Sequence, residues 1–111
     1  MEISVAKDVE ITTIALKGRL DAATSRPVEE RLLQLVDAGE RQMIIDLGEL
    51  DYISSVGLRV LLLVAKRLNQ VQGRVVICSL QESVRQVFDI AGFTTLFSLY
   101  ESRDQALVNL R

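Results

Sequence analysis

Met43-Ile44-Ile45-Asp46-Leu47-Gly48-Glu49-Leu50-Asp51-Tyr52-Ile53-Ser54-Ser55-Val56-Gly57-Leu58-Arg59 joins an apolar segment to the start of a long amphipathic one. Met43 to Leu47 is a near-continuous apolar run, the pattern of a strand with neighbours in its sheet and cover on at least one face. Val56 to Val71 repeats apolar residues at helical spacing and predicts a long amphipathic helix stopped at Gly73. Arg74 to Cys78 predicts a second buried strand. Strand, helix and strand in this order predict a crossover unit and an α/β fold.

Outward toward the N-terminus, Ile3–Lys7 and the β-branched run Ile11–Leu16 predict a hairpin turning at Lys7-Asp8-Val9. Thr24 or Ser25 is placed to cap a helix with Pro27 in its first turn, running to about Ala38 with Gly39 as its stop. Outward toward the C-terminus, Ser79-Leu80-Gln81-Glu82 and Ser102-Arg103-Asp104-Gln105 read as capping boxes, each opening a helix. The first of those helices ends at Gly92, and Leu96 to Tyr100 reads as a last strand. The prediction is one domain over 1–111: α/β, a mixed sheet of about five strands, and about four helices mostly on one side.

Composition narrows the function. The chain has 111 residues, 49% hydrophobic and 25% charged, enough to bury a core without staples. It contains no histidine and one cysteine, Cys78. The commonest general base and the commonest zinc ligand are therefore missing, and no internal disulfide can form. No metal, no cofactor and no enzyme activity are expected. The net charge is −2 without a basic cluster, which argues against nucleic acid. The longest apolar stretch, Val60 to Ala65, is far short of a bilayer span of ~20 residues, and Met1-Glu2-Ile3-Ser4 does not open a secretory signal. No membrane association and a cytoplasmic location are the expectation.

The two serines before the long helix read from the residues alone as a helix cap or as a modification site. Gly57, in the first turn, invites close approach of another backbone. At ~100° per residue, Ser55, Arg59, Leu62 and Lys66 share one stripe, while Val60, Leu61, Val64, Leu68 and Val71 face the core. A phosphate at Ser55 would bring roughly −1.5 to −2 charges to the positive end of a helix, which tolerates it. A partner docked on the stripe would meet new bulk and charge. The segment Gly18 to Thr24 opens the other helix, and Asp21 falls near Ser55 if both loops share one edge of the sheet.

With Leu16-Lys17-Gly18-Arg19-Leu20-Asp21, Ile44-Ile45-Asp46-Leu47, Tyr52-Ile53-Ser54-Ser55-Val56-Gly57-Leu58 and Ser83-Val84-Arg85-Gln86-Val87-Phe88 through Phe97, the chain resembles a STAS domain of the anti-sigma factor antagonist type. The resemblance implies a partner-switching role. The unmodified protein would bind a Ser/Thr protein kinase that acts as an anti-sigma factor, phosphorylation would block binding, and a PP2C-type phosphatase would restore it. Alignment on Gly57-Leu58 implies Ser55 as the phosphorylated residue and Ser54 as second choice. Ser54 stands where the family has Asp, and Val56 where it has Ser or Thr. The implied partner-facing residues are Asp21, Thr24, Ser54, Val56, Gly57, Leu58, Arg59 and Leu62. Two other readings remain open: a STAS scaffold regulating a target other than a sigma factor, and a weak nucleotide-binding module, although no phosphate-binding glycine motif occurs.

Overall fold

The computed structural model describes residues 1–111. The elements run β1 (Glu2–Asp8), β2 (Ile11–Leu20), α1 (Ser25–Asp37), β3 (Gln42–Ile53), α2 (Ser55–Gln70), β4 (Arg74–Cys78), α3 (Glu82–Ile90), a short 3-10 turn (Phe93–Thr95), β5 (Leu99–Tyr100) and α4 (Arg103–Leu110). The five strands lie in the sheet in chain order. β1 and β2 form the antiparallel hairpin, and every later neighbour pair is parallel.

The two faces of the sheet are covered unequally. Ile14, Leu16, Met43, Ile45, Leu47 and Ile77 point to the face that carries Val28 and Leu32 of α1, Leu61 and Val64 of α2, and Val84 and Phe88 of α3. Ile11, Ile44, Val76 and Cys78 alternate with them, point to the other face, and meet Ala106 and Leu110 of α4. Three helices therefore sit on one side and one short helix on the other. Burial pushes the Cys78 thiol up, which keeps it protonated and inert.

β3 runs well past Leu47, where the apolar run ends. Asp46 Oδ1 accepts from the Gly48 amide at 2.9 Å, and the register against β2 shifts between Ala15 and Lys17 and again between Gly18 and Arg19. These bulges let the strand keep Leu50 and Ile53 buried out to the start of α2.

Four further points differ from the sequence expectation. Ser79 does not cap α3: its amide donates to the Tyr100 carbonyl at 3.0 Å, its φ is +67°, and Gln81 takes the cap position without a side-chain bond. Leu96–Tyr100 is not a full strand. Phe93 and Phe97 both pack on Phe88, with centroids 6.2 and 6.3 Å away, which requires a tight turn and leaves only Leu99–Tyr100 extended. The left-handed residue ending α2 is Gln72 (φ +63°), not Gly73. Gly73 is needed because a Cβ there would lie 2.7 Å from the Arg41 carbonyl oxygen. Val71 is 37% exposed rather than in the core, since it is already outside helical geometry at the C-cap. Ser102 does cap α4, its Oγ accepting from the Gln105 amide at 3.2 Å, while the Gln105 side chain accepts from the Glu101 amide at 3.0 Å rather than from that of Ser102.

At the end of the sheet where β3 begins, Glu40 ties the hairpin to the α1–β3 turn. Its carboxylate accepts from the Thr12 hydroxyl and from Lys7 Nζ at 2.9 Å. The Thr12 bond, then the Lys7 bond, hold this carboxyl below its ordinary value. A lowered folded-state value means stability that is present above the ordinary carboxylate range and is lost as the pH falls through it. Glu40→Gln should lower stability by about 1 kcal/mol at neutral pH. In urea titrations the gap to the unsubstituted protein should close as the pH drops below the carboxylate range.

Candidate functional site

The site lies at the opposite end of the sheet, where β2 and β3 finish side by side. Leu20 and Ile53 are register partners, and the Ser54 amide donates to the Leu20 carbonyl at 2.9 Å. This bond fastens the start of α2 to the end of β2, so the loops opening α1 and α2 share one edge, as the placement of Asp21 near Ser55 requires.

The two serines are not equivalent. Ser54 is the N-cap of α2, with extended backbone and its Oγ accepting from the Gly57 amide at 3.3 Å. It is half-buried. Ser55 is the first helical residue; it is exposed, and its hydroxyl makes no hydrogen bond. By helix geometry the amides of Ser55 and Val56 have no intrahelical acceptor, so positive potential gathers around the free hydroxyl. Ser54→Ala should cost about 1 kcal/mol, the usual loss for a removed cap, read as a lower thermal midpoint, and should leave the Ser55 hydroxyl available.

Asp21 and Thr24 build the neighbouring turn. Asp21 Oδ1 accepts from the Ala23 amide at 3.0 Å and the Thr24 amide at 3.3 Å. Thr24 occupies the N-cap position of α1, yet its hydroxyl does not cap the helix. It accepts from the Asp21 amide at 3.0 Å and donates to the Arg19 carbonyl at 2.7 Å. Both side chains are half-buried, so part of each reaches the surface.

Along α2, Arg59 and Lys66 are exposed and form no ion pair, and Val56 and Leu62 are half-buried. Leu63 is 38% exposed and flanks the same stripe, a residue the helical wheel did not single out. Gly57 and Leu58 are corrections to the expected partner-facing set. Leu58 is 5% exposed and turns into the core. Gly57 is pressed against Leu20 and Ile53, where a Cβ would meet atoms at 2.8 and 2.9 Å. Both support the surface from beneath and offer it no side chain.

Two further residues join the edge. Arg19 and Tyr52 are register partners, and the guanidinium carbon lies 4.3 Å from the Tyr52 ring centroid. Both fall within the segments that carry the family resemblance, but their contact is set by two bulges across a parallel pair and leaves no mark in a single sequence.

The largest hollow, about 460 Å³, lies elsewhere, on the α4 side of the sheet. Its cations are already paired: Lys17 with Glu49 at 3.5 Å and Arg103 with Asp46 at 3.2 Å. With the Glu2 carboxylate added, it repels phosphate and does not favour a nucleotide. No helix is long and apolar enough to cross a membrane.

Comparison with known proteins agrees with this architecture. The chain is 46% identical over 106 residues to the candidate anti-sigma factor antagonist BtrV of Bordetella bronchiseptica, covering 96% of this chain and 91% of that one. An anti-sigma factor antagonist of Mycobacterium paratuberculosis superposes with TM-score 0.90 at 21% identity, over 97% of this chain and 92% of that one. The Bacillus cell fate determinant SpoIIAA in its phosphorylated form superposes with TM-score 0.78 at 20% identity, over 99% and 100% of the two chains. These last two likenesses concern the fold. The STAS domain profile matches residues 2–106, nearly the whole chain, and the protein belongs to the STAS domain family.

Proposed function

We propose that this protein is a partner-switching anti-sigma factor antagonist controlled at Ser55. The unphosphorylated form binds a Ser/Thr protein kinase that serves as an anti-sigma factor and thereby frees that kinase's target. Phosphorylation of Ser55 ends the binding, and a PP2C-type phosphatase restores it. The observation that carries the reading is the asymmetry of the serine pair. Ser54 is held as the helix cap, whereas Ser55 presents a free hydroxyl at the positive end of α2, beside the Asp21–Thr24 turn. The identity to BtrV and the family membership support the same role.

The surface offered to the kinase comprises Asp21, Thr24, Ser54, Val56, Arg59 and Leu62, with Ser55 at its centre. A phosphate at the N-terminus of α2 would find free amides and the helix dipole, so the fold accommodates it and the change is felt by the partner. The test is incubation with ATP and Ser/Thr kinases encoded in the same genome, followed by mass-spectrometric mapping. Phosphate on Ser55 in the wild type, and its loss in Ser55→Ala, are the expected results. Phosphate confined to Ser54, or no acceptance from any of these kinases, overturns the assignment.

A further inference from the structure

The sheet face opposite α1 and α2 is only half covered. α4 packs on Ile11 and Ile44, early in β2 and β3, and on Val76 and Cys78 of β4, whereas Lys17, Arg19, Glu49 and Tyr52 further along β2 and β3 are exposed. Leu20 and Ile53 point into the main core, so their strand neighbours Arg19 and Tyr52 point out of this bare face. Tyr52 is 41% exposed. The Arg19 guanidinium carbon sits over its ring, 4.3 Å from the centroid, and Arg19 Nε lies 3.8 Å from Asp21 Oδ2, an ion pair too long for a hydrogen bond. The guanidinium therefore makes no hydrogen bond within the protein; the Asp21 carboxylate and the tyrosine ring hold it in place, and its two outer nitrogens are not engaged. Arg and Tyr are the residue types that dominate binding energy at protein interfaces, most of all when fixed in place before contact.

This pair is continuous with the Ser55 surface. The Arg19 carbonyl accepts from Thr24, Arg19 faces Asp21, and Leu20 holds the Ser54 amide. We infer that Arg19 and Tyr52 form a second anchor for the kinase, on the outer face of the sheet, with the guanidinium taking an Asp or Glu carboxylate of the partner and the ring packing beneath it. The inference rests on the proposed role of Ser55 and names the chemistry that extends its footprint. A stacked guanidinium binds a carboxylate through two parallel N–H donors, a geometry that lysine cannot reproduce. It also lies apart from the helix terminus, so it contributes to partner choice without itself being the switch.

The experiment uses the full chain and the kinase that phosphorylates Ser55 in the mapping above, without ATP, with affinity measured by calorimetry. Arg19→Ala and Tyr52→Ala should each weaken binding by roughly tenfold or more. Arg19→Lys should behave like Arg19→Ala, Tyr52→Phe should bind nearly as the wild type, and the double variant should lose less than the product of the two single losses. Arg19→Ala should also flatten the salt dependence of association. Circular dichroism melting reports whether each variant is folded, and both side chains are exposed enough for the fold to survive. Equal affinities for wild type, Arg19→Ala and Tyr52→Ala would falsify the anchor while leaving Ser55 standing. If Arg19→Ala changes only the phosphorylated form, the acceptor is the protein's own phosphate and the inference fails. If no kinase modifies Ser55, the underlying reading and the anchor fall together.

Discussion

Ser55→Asp is expected to lose its kinase while keeping its fold. Ser55 opens α2, so a carboxylate there lies against unsatisfied amides and the positive end of the helix dipole, a placement worth roughly 0.3–1 kcal/mol to the folded state. The thermal midpoint should stay level or rise by a few degrees. Binding should respond in the opposite sense. Placing a charge with no counterpart in a desolvated contact costs about 2–5 kcal/mol, or roughly 30-fold to several-thousand-fold in affinity. Ser55→Ala provides the other half of the comparison. It should bind about as well as the wild type and remain bound when ATP is added, because nothing can be modified at the contact. Calorimetric titration of the kinase with the three proteins measures both effects. If Ser55→Asp binds like the wild type, charge at this position does not operate the switch.

Much of this was legible in the sequence, and the failures share a cause. The hairpin and the α/β order follow from apolar periodicity and turn residues, which are local signals, and the right-handed crossover rule then puts most helices on one face. So does the closeness of Asp21 and Ser55, once two parallel strands end together. What could not be read was set by contacts between distant segments. Ser79 looks like a cap, but its amide is needed by Tyr100, which forces a left-handed turn and delays α3. The apolar run stops at Leu47, but Asp46 takes up the Gly48 amide and β3 runs on to Ile53. Gly73 looks like a left-handed stop, but its role is to clear the Arg41 carbonyl. Within the site, the wheel placed Ser55, Arg59 and Lys66 correctly on the surface. Leu58 shares the inner side of that wheel with Leu61 and Ala65, and only the family resemblance sets it among the partner-facing residues; that Arg19 sits over Tyr52 from a strand paired across two bulges the wheel could not show.

Gly57→Ala should be the most damaging single-methyl change at this edge, and its sign is informative. In an exposed helix, alanine in place of glycine gains about 1 kcal/mol, so a Gly57 present merely by tolerance predicts stabilisation. The geometry predicts the reverse. The added Cβ would lie 2.8 Å from Leu20 Cγ, 2.9 Å from Ile53 Cγ1 and 2.9 Å from the Leu20 carbonyl oxygen. Leu20 and Ile53 are 0% and 1% exposed, so neither can swing out toward solvent. The Leu20 oxygen is itself the acceptor for the Ser54 amide, so it cannot retreat without loosening the bond that joins α2 to β2. Overpacking of this kind costs about 1–3 kcal/mol, and the weakened bond adds roughly 1 kcal/mol. Net destabilisation of about 2 kcal/mol corresponds to a fall in thermal midpoint on the order of 10 °C. The relief available to the chain is to lift the first turn of α2, which carries Ser55 with it. Gly57→Ala should therefore also slow phosphorylation of Ser55 at temperatures where the protein is still folded, an effect that a loss of stability elsewhere, such as Glu40→Gln, would not produce. A variant more stable than the wild type would show that α2 has room at its start and that the positioning of Ser55 does not depend on this contact.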